Sequence, residues 1–559
     1  MWGLVVRATL RRARRRLRAG PLYRWRFSGR TPDRVLIAPP DLRLPDKQIA
    51  DEIYHGRFAL SGHMVDTGGD SPFQIEVADA EWLKSLHGFR WLRHMREAGT
   101  DLSAANARAL VGDWMATHGR RIGGVAWDPA ITARRIIAWL QHSTVVLQAA
   151  DYNLYRAYLK SLAMQVRYLR VVAADIADAE ERLRARAALC YAALSLPVAQ
   201  PVQRQATRQL SLELDRQILP DGCHVSRNPQ AVLELLADLL PLRYTYAAQA
   251  EAPPPQLIAA VERMLPALRF FRHQDGTLAL FNGMGATAPD RLAAILRHDD
   301  TAGQPLARMP YAGYDRLAMD TTTVIADTGL PPPLDQSHEA HAGCLSFEMS
   351  SSRQRFVVNC GVDAFGADDF RPLSRATAAH STATLNDTSQ ARFVLTPQIS
   401  DLVGTPLSGG PKKVEVRRED SDGIQGFTAS HDAYVSRFGL WHERQLALAG
   451  EGRILEGTDR FFRAKGGSVP NDGRDAVAVR FHLHPAVGLF RDRDDRMVLK
   501  ASAGDLWIFD CKDVEPTVEE SIYFAALGGP RKSRQIVLSF RASQLAEVSW
   551  RFTRISRAG

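Results

Sequence analysis

A helical first half joined to a β-rich second half is the fold class the sequence predicts, and two periods carry that expectation. Over residues 46–300 apolar side chains recur every three or four positions, whereas from about residue 310 they alternate with polar ones. The first period belongs to amphipathic helices and the second to strands with one buried face. The polar, Gly/Pro-bearing stretch HDDTAGQPLARMP at 298–310 marks the join.

Each helix is legible in turn. WDPAITARRIIAWLQHSTVVLQAA, NLYRAYLKSLAMQVRYLRVVAA, AEERLRARAALCYAALSL, ATRQLSLELDRQIL, PQAVLELLADLLPL and PQLIAAVERMLPALRFF follow one another with short Pro, Gly or Asp connections. Such a succession packs as helical hairpins in a bundle, solenoid or toroid. The strands follow in the same way: TTTVIADTG, GCLSFEMS, RFVVNCG, STATLND, KKVEVRRE, RQLALAG, GRILEGTD, AVAVRFHLHP, MVLKASAGDLWIFDC, SIYFAAL, RQIVLSF and VSWRFTRI. Gly, Asn and Asp punctuate them at the intervals of an antiparallel β-sandwich. The expected organisation is a basic arm over 1–45, a helical domain over 46–300 and a large antiparallel β-sandwich over 310–559.

Composition bounds the rest. The chain has 559 residues, 45% hydrophobic and 24% charged, which is globular usage for two to four domains. No run of 18 apolar residues occurs, so no transmembrane helix is expected. The net charge of +9 is concentrated in LRRARRRLRAGPLYRWRFSGR at 10–30, and without it the balance is near neutral. A solvated arm is the plain reading of that run; peripheral contact of residues 7–30 with an anionic membrane is the sharper one. The arginines follow MWGLVV rather than precede it, which is the wrong order for a signal peptide. Five cysteines (190, 223, 344, 360 and 511) make no CxxC pair and fit thiols in a reducing compartment. Together these point to the cytoplasm or the inner face of a membrane. No GxSxG, HExxH or nucleic-acid-binding motif is present, so no nucleic-acid partner is expected.

Polar residues gather at element ends. ILPDGCHVSRNPQAVLELL turns at Asp221-Gly222 and places His224, Arg227 and Asn228 just before the Pro that opens a helix. There Asn228 reads as an N-cap, or the three together as an anion receptor at a helix mouth. FRHQDGTLALFNGMGATAPD sets His273, Asp275 and Asn282 around a short apolar run, with an ordinary inter-helix turn as the plainer reading. In the β half His341, Asn359 and His380 each lie at the end of a neighbouring strand and are expected to converge at one rim. Such a set binds a metal, holds a substrate or shuttles a proton. His482 and His484 of RFHLHP share one strand face.

The order of the halves, together with QILPDGCHVSRNP, HAGCLSFE followed by NCG, and AHSTATLND, resembles the heparinase II/III-like family from about residue 80 onward. The resemblance implies an incomplete α/α toroid followed by an antiparallel β-sandwich. It also implies a bacterial carbon–oxygen lyase that cleaves uronate-containing polysaccharides by β-elimination, usually in the cell envelope or periplasm. That reaction needs donors that neutralise the substrate carboxylate, a base for the C5 proton and an acid for the leaving oxygen. The resemblance gives His341 the proton-handling role. Arg227, Asn228, Asn282 and His380 are the expected substrate contacts, His224 the candidate base and Tyr314 of YAGYDRL its reserve. No cofactor is required, although a structural zinc on His341, Asn359 and His380 is implied by some members. Two departures stand out: AADIADAEERLRAR lacks the family's Asn-His on a mid-toroid helix, and Ala231 replaces a Tyr after the Pro of the SRNPQAV loop. The two functional expectations are therefore a lyase acting on an acidic polysaccharide or oligosaccharide, and a catalytically lapsed glycan-binding protein on the same scaffold. A glycoside hydrolase is a third, and would need two carboxylates about 5 to 10 Å apart.

Overall fold

The computed structural model describes residues 2–20, 25–299, 303–363, 370–502 and 504–555. Residues 21–24 of the basic arm and 300–302 of the expected join lie outside them. The chain forms two compact units, Met1–Ile218 with Glu234–Glu262, and Leu219–Leu233 with Arg263–Gly559.

The first unit is helical. Pro129–Gln141, Tyr152–Val172, Ala179–Ser195 and Gln200–Gln217 form in the expected order. Asp128, Asp151 and Asp178 cap the first three, their carboxylates accepting N–H groups of Ala130, Leu154 and Glu181. Each cap satisfies donors that a helix start otherwise leaves orphaned. Trp82, Trp114, Trp139 and Tyr158 fill the core. Fully buried Arg135 stacks over Trp114 at 4.1 Å and donates to the carbonyls of His87 and Ala126. One hairpin, Arg57–Leu60 with His63–Asp66, interrupts the helices. It turns at Ser61-Gly62, both left-handed, too short a signal to stand out among helical periods. The basic arm is not merely solvated: Trp2–Ala19 is a helix, Leu4 and Phe27 are buried, and Arg18 pairs with Asp175 at 3.1 Å.

The second unit is the antiparallel sandwich the alternation predicts. Among the described residues one sheet has eight strands and the other nine. The inward faces share a core that includes Phe347, Phe356, Phe481, Trp507, Trp550 and Phe552. Strands not foreseen include Tyr314–Met319, which carries Tyr314, Gln425–His431 and Gly488–Arg491. The first is buried at four successive positions, so it lacks the polar alternation that betrays a half-buried strand. Loop 219–233 belongs to this unit, and every candidate site residue named above lies within it.

Candidate functional site

The site grows from two strained turns. Arg227 N–H closes a turn onto the His224 carbonyl at 2.8 Å and leaves Arg227 at φ 61°. A long side chain stays in the left-handed region only where its surroundings hold it. They do here. Arg227 is 5% exposed; its Nη2 donates to Asp327 Oδ1 at 2.6 Å and to the Gly313 carbonyl at 3.0 Å. Its Nη1 donates to the Leu330 carbonyl at 2.8 Å, and its Nε to the Ala312 carbonyl. Four of the five donors a guanidinium carries are thereby engaged. Burial alone would loosen the Arg227 proton, but the Asp327 charge outweighs it and the pKa rises. Gly329 is needed beside it, because a Cβ there would meet Arg227 Nη2 at 2.6 Å. Asn228 then caps helix Pro229–Ala248, its Oδ1 accepting Gln230 N–H at 2.8 Å.

From Arg227 a chain of hydrogen bonds runs to the histidines. Tyr314, fully buried, donates its hydroxyl to the Arg227 carbonyl at 2.8 Å and accepts from Asn282 Nδ2 at 2.7 Å. Asn282, at φ 46°, accepts His341 N–H at 3.1 Å through Oδ1. Gly283 N–H donates to His341 Nε2 at 3.1 Å, and His341 Nδ1 lies 2.9 Å from His380 Nε2. His380 Nδ1 ends the chain 2.7 Å from the Ala376 carbonyl. Gly283 sits at φ 89°, and a Cβ there would lie 2.7 Å from Glu339 Cβ and 3.0 Å from Asn228 Nδ2.

The network assigns the protons. A carbonyl only accepts, so His380 Nδ1 carries hydrogen and its Nε2 is bare. His341 Nδ1–H therefore donates to His380, and His341 Nε2 accepts from Gly283. Both rings are neutral and both nitrogens of each are used. Burial pushes His341 well below the ordinary histidine range, helped by His380 and Arg375. Burial also takes His380 down to about 4. The Tyr314 hydroxyl is driven well up by burial, the wrong direction for a base.

Thus Arg227, Asn228, Asn282, Tyr314, His341 and His380 come together; His224 meets them through its carbonyl, which accepts Arg227 N–H, while Asn359 is bonded to Ser381 instead. His224 is buried, with Nδ1 2.7 Å from Ser226 Oγ. Asn359 is fully buried, and its Oδ1 accepts Ser381 N–H at 3.0 Å. His341, Asn359 and His380 accordingly do not suit zinc. The imidazole lone pairs are committed to Gly283 N–H and His341 Nδ1–H, and a neutral amide is a weak ligand in any case. Among the described residues no group of three or more His, Cys, Asp or Glu side chains is placed to hold a metal ion. His482 and His484 also part company: the first reaches the Ala378 carbonyl and Ser521, the second Gln354.

Sequence reasoning missed the acids that anchor these groups. Asp327 holds Arg227, and buried Glu348 takes His273 Nε2 at 3.0 Å and Asn359 N–H at 2.8 Å. A lone Glu inside GCLSFEMS was the available signal. In the helical unit the stretch without Asn-His opens helix Ala179–Ser195. Its Arg184, 1% exposed, bonds Glu180, Glu181 and Asp238 at 2.6–2.8 Å. Ala231, at the position of the absent Tyr, is buried and offers no titratable group.

The C-terminal model of the heparinase II/III-like family matches residues 301–551. FtsZ-localized protein C of Caulobacter vibrioides (strain NA1000 / CB15N) is 32% identical over 552 residues, covering 96% of this chain and 93% of that protein. The chain belongs to the heparinase II/III-like family. Solved structures agree on the fold. The crystal structure of heparinase III gives a TM-score of 0.71 at 14% identity, covering 95% of this chain and 88% of that one. Heparan sulfate lyase HepC from Pedobacter heparinus gives 0.59 at 16% identity, with 96% and 88% covered. The family fold of a helical toroid followed by a β-sandwich is therefore the fold of this chain, with a polysaccharide-lyase-like architecture.

Proposed function

We propose that this protein is a lapsed member of its family, a lyase-derived scaffold that works with FtsZ at an anionic membrane face instead of cleaving glycan. One observation carries the reading. Of the residues expected to perform β-elimination, Tyr314, Asn282, His341 and His380 are hydrogen-bonded in one chain from Arg227 to Ala376, with neither imidazole nitrogen of His341 or His380 turned to a ligand. Elimination needs a free base and donors aimed at a carboxylate. The relative named for its localisation to FtsZ supports the second part.

The membrane part rests on helix Trp2–Ala19. Trp2, Val6, Leu10 and Leu17 are all more than half exposed. At 100° per residue they fall on one stripe, opposite buried Leu4 and the inward Arg18. Arg12 and Arg16 flank the stripe on one side, Arg7 and Arg14 on the other. An apolar stripe between rows of cations lies in the interface of an anionic bilayer, each cation adding about 1 kcal/mol. No helix among the described residues is long and apolar enough to cross a membrane.

A working lyase on an acidic glycan is the second reading, favoured by the direct contact of His341 with His380, as a proton relay would require. Incubation with heparin, heparan sulfate, alginate and bacterial exopolysaccharides separates the two. We expect no rise in near-ultraviolet absorbance from unsaturated uronate; a rise lost in His341→Ala would overturn the lapsed reading. Binding without cleavage is compatible with the scaffold. A fluorescent fusion is expected to coincide with labelled FtsZ. Leu10→Glu with Leu17→Glu is expected to abolish sedimentation with anionic vesicles, and unchanged sedimentation would exclude the helix as the contact.

A further inference from the structure

The helical unit holds a buried cation with no hydrogen-bonded partner of its own, and the acid nearest in effect, Glu213, is shared with other groups. Arg186, on helix Ala179–Ser195, is 8% exposed, and its Nε is buried without a hydrogen-bond partner. No hydrogen bond or ion pair of Arg186 exists among the described residues. The acid acting on it, Glu213, is already held by Arg182, whose Nε lies 3.2 Å from both of its oxygens, and by Gln217 at 2.9 Å. Burial lowers the pKa of Arg186, as expected for a charge that the protein leaves uncompensated. A buried charge of this kind is costly unless something pairs with it.

Arg186 lines a trough of about 310 Å³ between helices Tyr152–Val172, Ala179–Ser195 and Gln200–Gln217. Arg18 and Arg170 also line it, and Val166, Leu189, Val198 and Val202 supply apolar wall. A second hollow of about 460 Å³ shares Val166, Arg170, Val198 and Val202 with the first and adds Leu196 and Pro197 along with the charged Arg30, Asp33 and Arg167, so the valine wall is common to both. A site of this size takes a small molecule. Arg18 is already paired with Asp175, so Arg186 and Arg170 are the guanidinium groups that ask for an anion, and the apolar wall asks for an alkyl chain.

We propose that this trough binds a small anionic amphiphile, a carboxylate or phosphate pairing with Arg186 and Arg170, with its alkyl chain laid along Val166, Val198 and Val202. A guanidinium meets either headgroup with two parallel hydrogen bonds, and the low local dielectric strengthens them. The trough is built from the helical unit, so this proposal stands whether or not the β-rich unit cleaves glycan. It also differs from bilayer docking, because the ligand enters as a single molecule.

The test is calorimetric titration of the full chain with decyl phosphate and with decanoate, both kept below micelle formation. Inorganic phosphate, 1-decanol and decyltrimethylammonium serve as comparisons. We expect saturable binding of the two anionic amphiphiles, with each comparison at least tenfold weaker. Arg186→Met keeps the aliphatic stem and is expected to weaken decyl phosphate at least tenfold. Ala206→Phe, which fills the trough without touching a charge, is expected to do the same. Melting curves on both variants check that the fold survives. Equal binding of inorganic phosphate would reduce the site to a plain anion contact and overturn the amphiphile. Equal binding of decyltrimethylammonium, or unchanged binding in Arg186→Met, would also overturn the proposal.

Discussion

Two histidine pairs in the β-rich unit are built alike and end differently. His341 and His380 meet edge to face with ring centres 5.0 Å apart, and His431 and His442 do so at 5.2 Å. The facing nitrogens are 2.9 and 3.2 Å apart. The first pair ends on the Ala376 carbonyl, the second on the Asp459 carboxylate at 2.8 Å. Asp459 is fully buried and also accepts from Arg444 Nε, Arg444 Nη2 and Trp550 Nε1. Arg444 in turn donates to the carbonyls of Leu345 and Ser381, residues beside the turns that carry His341 and His380. The second pair is thus part of a staple that holds the loops of the first. Two touching imidazoles do not by themselves mark a catalytic centre. What decides is whether a nitrogen faces a ligand, and in both pairs every ring nitrogen faces protein.

The largest effect should come from breaking the staple. Arg444→Leu leaves Asp459 buried beside a hole where its cation stood. We expect a loss of about 3–5 kcal/mol in denaturant unfolding of the β-rich unit. Arg444→Leu with Asp459→Leu should recover much of that loss, because the stranded charge is gone. A single variant within about 1 kcal/mol of wild type would mean that water reaches Asp459 and that the two pairs are not linked.

Acid should act next, and on both pairs. The folded His380 has a pKa of about 4 against an ordinary value near 6.5, because burial disfavours its cation. Between those values the unfolded chain binds the proton and the folded chain does not. The stabilisation is therefore complete above pH 6.5 and lost as pH falls through 4, about 3 kcal/mol in all for this one group. His341 and His431 are held well below the ordinary value by the same burial, and His442 is lowered too. The unit should melt steeply between pH 6.5 and 4, and His380→Gln should flatten that dependence measurably. A flat profile in the wild type would show that the rings are already protonated or reach solvent.

His341→Ala comes third. It strands Gly283 N–H and removes a donor to His380, at a cost of about 1–3 kcal/mol. The same truncation at a working proton-handling histidine would lower turnover with little effect on melting. Lower stability with no activity to lose, measured by melting and by the uronate assay together, places His341 in the same class as His431.

How far the sequence carried is clear from these residues. The two halves and every helix quoted from the sequence were legible because their periods persist over many residues. Arg227 and His341 were expected to face one another because each lies in a distinctive loop at an element end, whereas the segment of Asn282 read more plainly as an inter-helix turn. Their closure was not legible. It depends on Asp327 and Gly329 meeting Arg227 across some hundred residues, and on Gly283 presenting one peptide N–H to His341. Neither is a pattern along the chain. The staple escaped for a related reason: His442, Arg444 and Asp459 share the inward face with Leu446, Leu448 and Leu455, but their polarity reads them as outward.

The smallest expected effect is no effect, and it sharpens the comparison most. Zinc bound to His341 and His380 at a hundred times its dissociation constant would stabilise the unit by about 2.7 kcal/mol, a shift of roughly a few degrees for a unit of this size. Binding there must first break the His341–His380 bond and the Gly283 contact, and Asn359 would have to leave Ser381 to become a third ligand. We therefore expect melting of the full chain to be the same with zinc, with chelator and with neither. A zinc-dependent rise that disappears in His380→Gln but survives in His431→Gln would show that the first pair opens where the second does not. That outcome would return the metal, and with it a reactive site, to the rim of the sandwich.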